Sequence, residues 1–193
     1  MRHALLPGFA DPARQAQACF RRLLEATARP GTIVRLDAPA PPPLPPAAAA
    51  LALTLCDADT PVWLEPRLAT GEVRAWLRFH SGCPIVADEA EAGFAFASAA
   101  LAGPDRLACG SDDYPDRSAT LVLEVCALGS GETLILRGPG IEGEARLAVS
   151  GLPEWFRPWR ERNAALYPRG VDAVLVAADR LAALPRSTVI VAG

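Results

Sequence analysis

Two short apolar runs close the chain, and the segment between them restricts how it can fold. The runs cover residues 171–178 and 189–191, and each is short enough for a buried strand. A rigid turn with charged side chains joins them; its residues include Asp179, Arg180, Pro185 and Arg186. The pattern predicts two paired core strands that hold polar groups at their ends.

Helical and strand patterns alternate along the rest of the chain without a fixed repeat. The first helix is the clearest, because Asp11 and Pro12 form a start signal and Pro30 and Gly31 form a stop. Such a mixture predicts an α/β fold in which a mixed β-sheet is covered by helices. The predicted helices cover residues 12–29, 47–56, 71–79, 97–107 and 153–166. The predicted strands cover residues 31–36, 62–64, 84–87, 94–96, 120–128 and 132–137, with 129–131 as a hairpin turn.

The length of 193 residues fits one domain, which we expect to cover residues 1–193. Residues 39–46 read PAPPPLPP and predict a stiff proline-rich loop on the surface. We do not expect a second domain to begin there.

Composition limits the classes of partner. With 51% hydrophobic and 21% charged residues, the chain can bury a core. A net charge of −3 argues against nucleic acid as the main partner, because binding to phosphates needs a concentrated positive face. No apolar run approaches the ~20 residues of a membrane span, and the amino terminus lacks the apolar centre of a secretion signal. We therefore expect a cytoplasmic protein with neither a membrane nor a nucleic acid as its partner.

Lysine is absent, and all 19 basic side chains are arginine. A Walker A loop and a Schiff base with pyridoxal phosphate each need a lysine. The sequence therefore excludes P-loop ATP hydrolysis and pyridoxal phosphate catalysis by this chain alone, and we expect no bound cofactor. The five cysteines lack the close spacing of a disulfide framework or zinc site, so we expect buried thiols and no metal.

Two polar segments carry the side chains best suited to acid–base chemistry. His80, close to Arg78 at the end of a predicted helix, can act as acid or base near neutral pH. The alternative is a histidine that interacts with the helix dipole. Asp57 and Asp59, two residues apart, could bind Mg²⁺ or form a catalytic pair, but they also suit a turn in which their oxygens accept backbone N–H groups. The sequence leaves both pairs of alternatives open.

The last predicted helix combines aromatic and basic residues. Trp155, Phe156 and Trp159 lie on it, with Arg157 and Arg160 among them. An exposed surface of aromatic residues and arginine favours a protein–protein contact. Packing of the same rings into the core is an equal alternative.

Six segments in one order resemble a known family over nearly the whole chain. They read FRRLLEATARPG (20–31), LTLCDADTPVWL (53–64), LRFHSGCP (77–84), TLVLEV (120–125), LRGPGI (136–141) and PRGVDAVLV…LPRST (168–188). Together they are similar to the H subunit of the carbon–phosphorus lyase complex, the PhnH family.

The resemblance implies a fold like the large domain of pyridoxal-phosphate-dependent transferases, without a working cofactor site. It implies a homodimer that joins the G, I and J subunits in a core complex for phosphonate use. In that family, subunits G, H, I and L together replace the adenine of ATP with a phosphonate. The resemblance also marks a set of polar positions. Asp59, Arg78 and His80 are the candidates for catalysis, and the candidates for binding a ligand or a partner are Arg21, Arg22, Thr60, Asp172 and Arg186.

Three hypotheses follow for the function. In the first, the chain is an accessory, non-catalytic subunit of the phosphonate-processing complex. In the second, it is a self-sufficient enzyme that acts on a phosphorylated or phosphonate substrate through Asp59, His80 and Arg78. In the third, it is a scaffold in which Arg78, His80 and Arg186 form buried pairs that maintain the fold. We favour the first.

Overall fold

The computed structural model describes residues 5–191, and His3 therefore lies outside the described residues. Within them, the expected mixture of helices and a mixed sheet is confirmed. The helices are α1 (Pro12–Ala28), α2 (Pro46–Leu55), α3 (Gly71–His80) and α4 (Phe156–Ala164). The strands are β1 (Val34–Arg35), β2 (Val62–Leu64), β3 (Phe94–Ala97), β4 (Thr120–Glu124), β5 (Ala127–Arg137), β6 (Ala145–Ser150), β7 (Asp172–Ala177), β8 (Arg180–Leu184) and β9 (Val189–Val191).

The helices begin where the sequence supplies caps. The Asp11 carboxylate accepts a hydrogen bond from the Arg14 backbone N–H at 3.3 Å, which satisfies one free donor at the start of α1. At the start of α3, the Thr70 hydroxyl accepts a hydrogen bond from the Val73 backbone N–H at 3.2 Å. Helix α2 is buried on nearly every side, so its alanine-rich sequence suits close packing between other elements.

The larger sheet has six strands in the order β1-β8-β7-β4-β3-β2. Strands β2, β3, β4 and β7 are parallel, whereas β8 runs antiparallel to β7 and β1 antiparallel to β8. The central strand β4 is buried on both faces, as parallel strands covered by two layers are. A second, three-stranded sheet has the order β6-β5-β9 and is antiparallel.

Two apolar cores cover the two faces of the larger sheet. Side chains alternate between the faces along each strand, so Val122 points to one core while Leu121 and Leu123 point to the other. The helix-side core lies between the larger sheet and helices α1, α2 and α3. The sheet-side core lies between the larger sheet, the smaller sheet and α4.

The predicted pairing of residues 171–178 with 189–191 is wrong. Strand β7 instead pairs with β8, which occupies the predicted turn between the two runs. Ala177 faces Arg180 in the register, so only Ala178 and Asp179 form the hairpin loop, and Ala178 adopts a positive φ of 50°. Strand β9 leaves this sheet and pairs with β5 in the smaller one.

The predicted hairpin turn at residues 129–131 is also wrong. These residues lie inside the long strand β5, where the register with β6 shifts between Leu128 and Glu132. Gly131 has φ +98°, and a Cβ there would lie 2.5 Å from the Val149 carbonyl oxygen. Gly129, with φ +93°, and Gly131 therefore allow a bulge in β5 rather than a reversal of the chain. The partner strand β6 was missed.

Three smaller expectations also need correction. The helix predicted at residues 97–107 is absent, and Pro104 explains this because proline disfavours helical geometry in the preceding residue. The strand predicted at 84–87 is reduced to a single bridge between Ile85 and Val62. The proline-rich segment is only partly a surface loop, because Pro41, Leu44 and Pro45 are buried.

The turn after β5 fastens the smaller sheet to the end of α1. Gly140 has φ +80°, and a Cβ there would overlap the Ala28 carbonyl oxygen and lie 3.0 Å from its carbonyl carbon. Gly143, in the same turn, has φ +71° but has nothing within 4 Å of an added Cβ. A substitution at Gly143 therefore measures the cost of a positive φ alone, whereas a substitution at Gly140 adds the cost of a steric clash.

We expect Gly140→Ala to lower the free energy of unfolding by at least about 3 kcal/mol, because backbone strain and a backbone clash add. Gly143→Ala should lower it by about 1–2 kcal/mol, the cost of the left-handed conformation alone. Urea unfolding of both variants measures the difference. Equal losses would show that Gly140 does not hold the two layers together.

Candidate functional site

His80 anchors the amino-terminal segment against α3. Its Nε2 lies 2.9 Å from the carbonyl oxygen of Leu6, an oxygen that can only accept, so Nε2 carries the proton. A Cβ on Gly8 would lie 2.8 Å from His80 Nδ1, so the backbone of this segment packs directly on the imidazole. The ring also packs against Trp76, with centroids 5.0 Å apart. The location at the last residue of α3 matches the expectation.

Arg78, two residues before His80 on α3, and Asp59, in the turn before β2, are both exposed. Among residues 5–191, no hydrogen bond or ion pair connects Asp59, Arg78 and His80 with one another. The idea of Arg78 as a member of a buried pair does not hold, because its side chain is exposed.

The Asp57–Thr60 segment is a turn held by side-chain hydrogen bonds. The Thr60 hydroxyl donates to Asp57 Oδ1 at 2.7 Å, and the Asp59 backbone N–H donates to the same oxygen at 3.0 Å. The two donors, the hydroxyl first, hold the pKa of the Asp57 carboxyl below its ordinary value. The turn alternative is therefore the one observed, and Thr60 is occupied by it.

Asp172 and Arg186 form the strongest polar network among the positions marked by the resemblance. Arg186 Nη2 donates to Asp172 Oδ2 at 2.6 Å, and its backbone N–H and Nε both donate to Oδ1, at 2.7 and 3.2 Å. The same guanidinium donates to the Pro115 carbonyl at 2.7 Å and to the Ser118 hydroxyl at 2.6 Å. The network ties the loop before β4 to the start of β7 and to the loop after β8.

The remaining two positions, Arg21 and Arg22, lie on the exposed side of α1. Arg22 Nη1 donates to the Arg35 carbonyl at 2.6 Å, which links α1 to β1. The sequence could not predict this contact, because the two residues belong to different elements.

We expect Arg186→Ala to destabilise the fold by about 2–3 kcal/mol, because it removes the guanidinium that donates to a half-buried carboxylate and to two further acceptors, and leaves the carboxylate only the backbone N–H of residue 186. Arg137→Ala is the matched control, since Arg137 pairs with Glu144 at 2.6 Å on the exposed surface. Its loss should be about 0–1 kcal/mol. Thermal and urea unfolding measure both values; similar losses would contradict a structural role for the network.

The aromatic residues of α4 pack into the core. Phe156 and Trp159 are buried in the sheet-side core, and Trp155 Nε1 donates to the Leu101 carbonyl at 2.6 Å. Arg160 is also buried and donates from Nη2 to the carbonyls of Pro185 and Thr188 at 2.7 and 2.6 Å. Burial lowers the pKa of this guanidinium to about 10. Core packing is therefore the alternative that the structure confirms for these rings.

The expectation of buried cysteines holds for Cys19, Cys56 and Cys83. Burial raises the pKa of each of these thiols and keeps them protonated near neutral pH. Cys109 is half-buried, and Cys126 is exposed, which contradicts the expectation for that residue.

A cleft lies at the carboxyl ends of β2, β3 and β4, and the sequence reading missed it. Its volume is about 380 Å³, and the lining residues come from the segments that follow these three strands and from the proline-rich loop. The chain that follows β2 leads to α3 in the helix-side core. The chain that follows β3 passes Leu101 and Leu107 in the sheet-side core. Connections that diverge to opposite faces open a crevice between strand ends, the usual ligand position in open α/β sheets.

Four polar side chains line this cleft: Arg67, Ser98, Glu124 and Cys126. Behind them, the buried Glu65 accepts hydrogen bonds from the Ser98 hydroxyl at 3.0 Å and from the Arg67 backbone N–H at 3.2 Å. Burial raises the pKa of the Glu124 carboxyl, and the positive charge of Arg67 partly offsets this. Polar residues directly after short apolar strands were the available sequence signal for the cleft.

Within the described part of the chain, no group of three or more His, Cys, Asp and Glu side chains could hold a metal ion. No helix described by the structure is both long and apolar enough to cross a membrane.

The family model for bacterial phosphonate metabolism protein (PhnH) matches residues 7–191. The chain belongs to the PhnH family. This match covers both sheets and all four helices described above, so the family relationship extends to the whole of the described fold.

Two curated relatives of the family agree with the match. The chain is 48% identical over 184 residues to the alpha-D-ribose 1-methylphosphonate 5-triphosphate synthase subunit PhnH of Rhizobium meliloti (strain 1021), covering 93% of this chain and 92% of that protein. It is 35% identical over 177 residues to the putative C-P lyase subunit protein HtxG of Stutzerimonas stutzeri, covering 91% and 86%. The resemblance inferred from the six sequence segments is therefore confirmed.

Proposed function

We propose that this chain is an accessory subunit of the carbon–phosphorus lyase core complex in phosphonate catabolism. In this role it is required, with the G, I and L subunits, to form ribose 1-phosphonate 5-triphosphate from ATP and a phosphonate. The observation that carries the proposal is the 48% identity, over 93% of the chain, to a named subunit of such a synthase. The alignment covers 92% of that relative, so the two proteins correspond over nearly their whole length and can present the same surfaces to partner subunits.

The geometry of the described residues supports an accessory role. His80 is engaged with the amino-terminal segment, Thr60 with a turn, and Asp172 and Arg186 with each other. A self-sufficient enzyme that uses Asp59, Arg78 and His80 would need these side chains to converge on one substrate. Arg78 and His80 lie on α3 and Asp59 lies in the turn before β2, and no hydrogen bond or ion pair joins the three within the described residues. We therefore prefer the accessory role to the enzyme hypothesis.

The remaining expectations belong to this proposal. The chain acts as one folded unit in the cytoplasm, as a homodimer that joins the G, I and J subunits. Its body is related to the large domain of pyridoxal-phosphate-dependent transferases. It binds no pyridoxal phosphate covalently, because lysine is absent and no amine side chain can form the Schiff base.

We further propose that the outer face of α1 contacts a partner subunit. Phe20 and Leu24 stand one helical turn apart and are 45% and 52% exposed. The helix carries three arginines and one glutamate, whereas the whole chain has a net charge of −3. Pairing of this face with its own copy would bring like charges together. The occupant that fits is a different subunit with an apolar surface bordered by acidic residues.

We expect the tagged chain to co-purify with the G, I and J subunits when they are expressed together. The isolated chain should be dimeric by light scattering and should not form product from ATP and methylphosphonate. Product formation, followed by phosphorus NMR, should require the G, I and L subunits as well. Product formed by the isolated chain would contradict the accessory role, and failure to co-purify would contradict the assembly.

The double variant Phe20→Glu, Leu24→Glu should fold normally but lose the partner subunits in the same purification. Both side chains are exposed, so the change alters the contact surface rather than the core. Phe79→Glu is the matched control, because Phe79 is 69% exposed on α3, outside the proposed surface. Retention of all partners by the double variant would refute this surface. Loss of the dimer alone would show that the face joins two copies.

A further inference from the structure

The cleft at the carboxyl ends of β2, β3 and β4 has the features of a binding site that no predicted residue anticipated. Its volume of about 380 Å³ is that of a pocket for a small molecule. It lies where the connections after β2 and β3 diverge to opposite faces of the larger sheet. Position and size together indicate a ligand, and the lining side chains define its chemistry.

Arg67 supplies the positive charge of the cleft. Its side chain is exposed, and within residues 5–191 neither a hydrogen bond nor an ion pair engages its guanidinium. The backbone N–H of Arg67 is fixed by the buried carboxylate of Glu65 at 3.2 Å, so the residue has a defined position on the rim. A guanidinium with free N–H groups binds phosphate, phosphonate or carboxylate groups through two parallel hydrogen bonds.

The other polar groups of the cleft are acceptors. The Ser98 hydroxyl uses its proton in the 3.0 Å hydrogen bond to Glu65, so it can only accept a further hydrogen bond from a ligand. Glu124 is half-buried at the end of β4 and accepts hydrogen bonds when ionised. Arg67 and Glu124 both line the cleft, yet they form no ion pair within 4.0 Å in the described chain. The two opposite charges therefore leave a gap between them.

We propose that this cleft binds a small anion that also carries hydroxyl or ammonium groups. The anionic group pairs with Arg67, and the donors of the ligand reach Glu124 and Ser98. A ligand with both features satisfies each of the three side chains, whereas a simple anion leaves the two acceptors unused. The site is independent of the proposed assembly, because all of its residues belong to one chain.

Cys126 provides a direct measurement, because its exposed thiol lines the cleft. Alkylation of the isolated protein by iodoacetamide is followed at Cys126 by peptide mass spectrometry, with the half-buried Cys109 as internal reference. The probes are glycerol 3-phosphate, phosphoethanolamine and inorganic phosphate. At ten times the Kd of either bifunctional probe, occupancy reaches about 90% and the rate at Cys126 falls about tenfold. The rate at Cys109 stays unchanged.

Substitutions in the cleft test separately the binding of the anionic group and of the donor groups of the ligand. Arg67→Ala should abolish protection by both bifunctional probes, and Glu124→Gln should weaken protection by phosphoethanolamine more than by inorganic phosphate. Arg106→Ala is the matched control, since Arg106 is an exposed arginine that pairs with Asp88 at 2.7 Å, away from the residues that line the cleft. It should leave protection unchanged.

Three outcomes would overturn the proposal. They are the absence of protection by any probe, protection that persists in Arg67→Ala, and equal protection by inorganic phosphate and by the bifunctional probes. The experiment uses the isolated chain, so its failure leaves the proposed assembly with other subunits untouched. Failure of the co-purification likewise leaves the cleft proposal untouched.

Discussion

Burial of the central parallel strands on both faces is the constraint on which the rest of the structure depends. Strand β4 has Val122 in one core and Leu121 and Leu123 in the other, so neither face of the sheet can be left to water. The helices α1, α2 and α3 cover one face, and the smaller sheet with α4 covers the other. The divergence of the connections after β2 and β3 follows from this requirement, and it opens the cleft that Arg67, Ser98 and Glu124 line.

Local signals in the sequence predicted all four helices of the described chain, because caps and stops act within a few residues, whereas the helix predicted at residues 97–107 is absent. Asp11 with Pro12 defines a helix start that later packing does not change. Strand pairing depends on residues far apart in the chain, and there the prediction failed. Residues 180–184 look like part of a charged turn, yet they complete the larger sheet beside β7. The glycines of β5 look like a hairpin turn, and only the backbone of β6 shows that they allow a bulge.

Polar contacts were likewise predictable only where the contacting residues are close in sequence. The Asp57 turn and the end position of His80 could be predicted, because their partners or helix are close in sequence. Arg186 donates hydrogen bonds to Asp172, Pro115 and Ser118, and only the folded sheet brings these residues together. The cleft residues share no motif, since Arg67, Ser98 and Glu124 each follow or end a different strand. Spaced sequence motifs therefore do not reveal a site that is built at strand ends.

The position of β1 has a consequence for synthesis of the protein. Arg35 of β1 binds Asp179, 144 residues later in the chain, and among the described strands β1 pairs only with β8. The pair of strands β1 and β8 at the edge of the larger sheet therefore cannot form until the ribosome has synthesised β8. Until then, α1 lacks its contacts with β8. Contacts of such long range slow folding, so the β1 edge of the larger sheet closes only after nearly the whole chain has been synthesised.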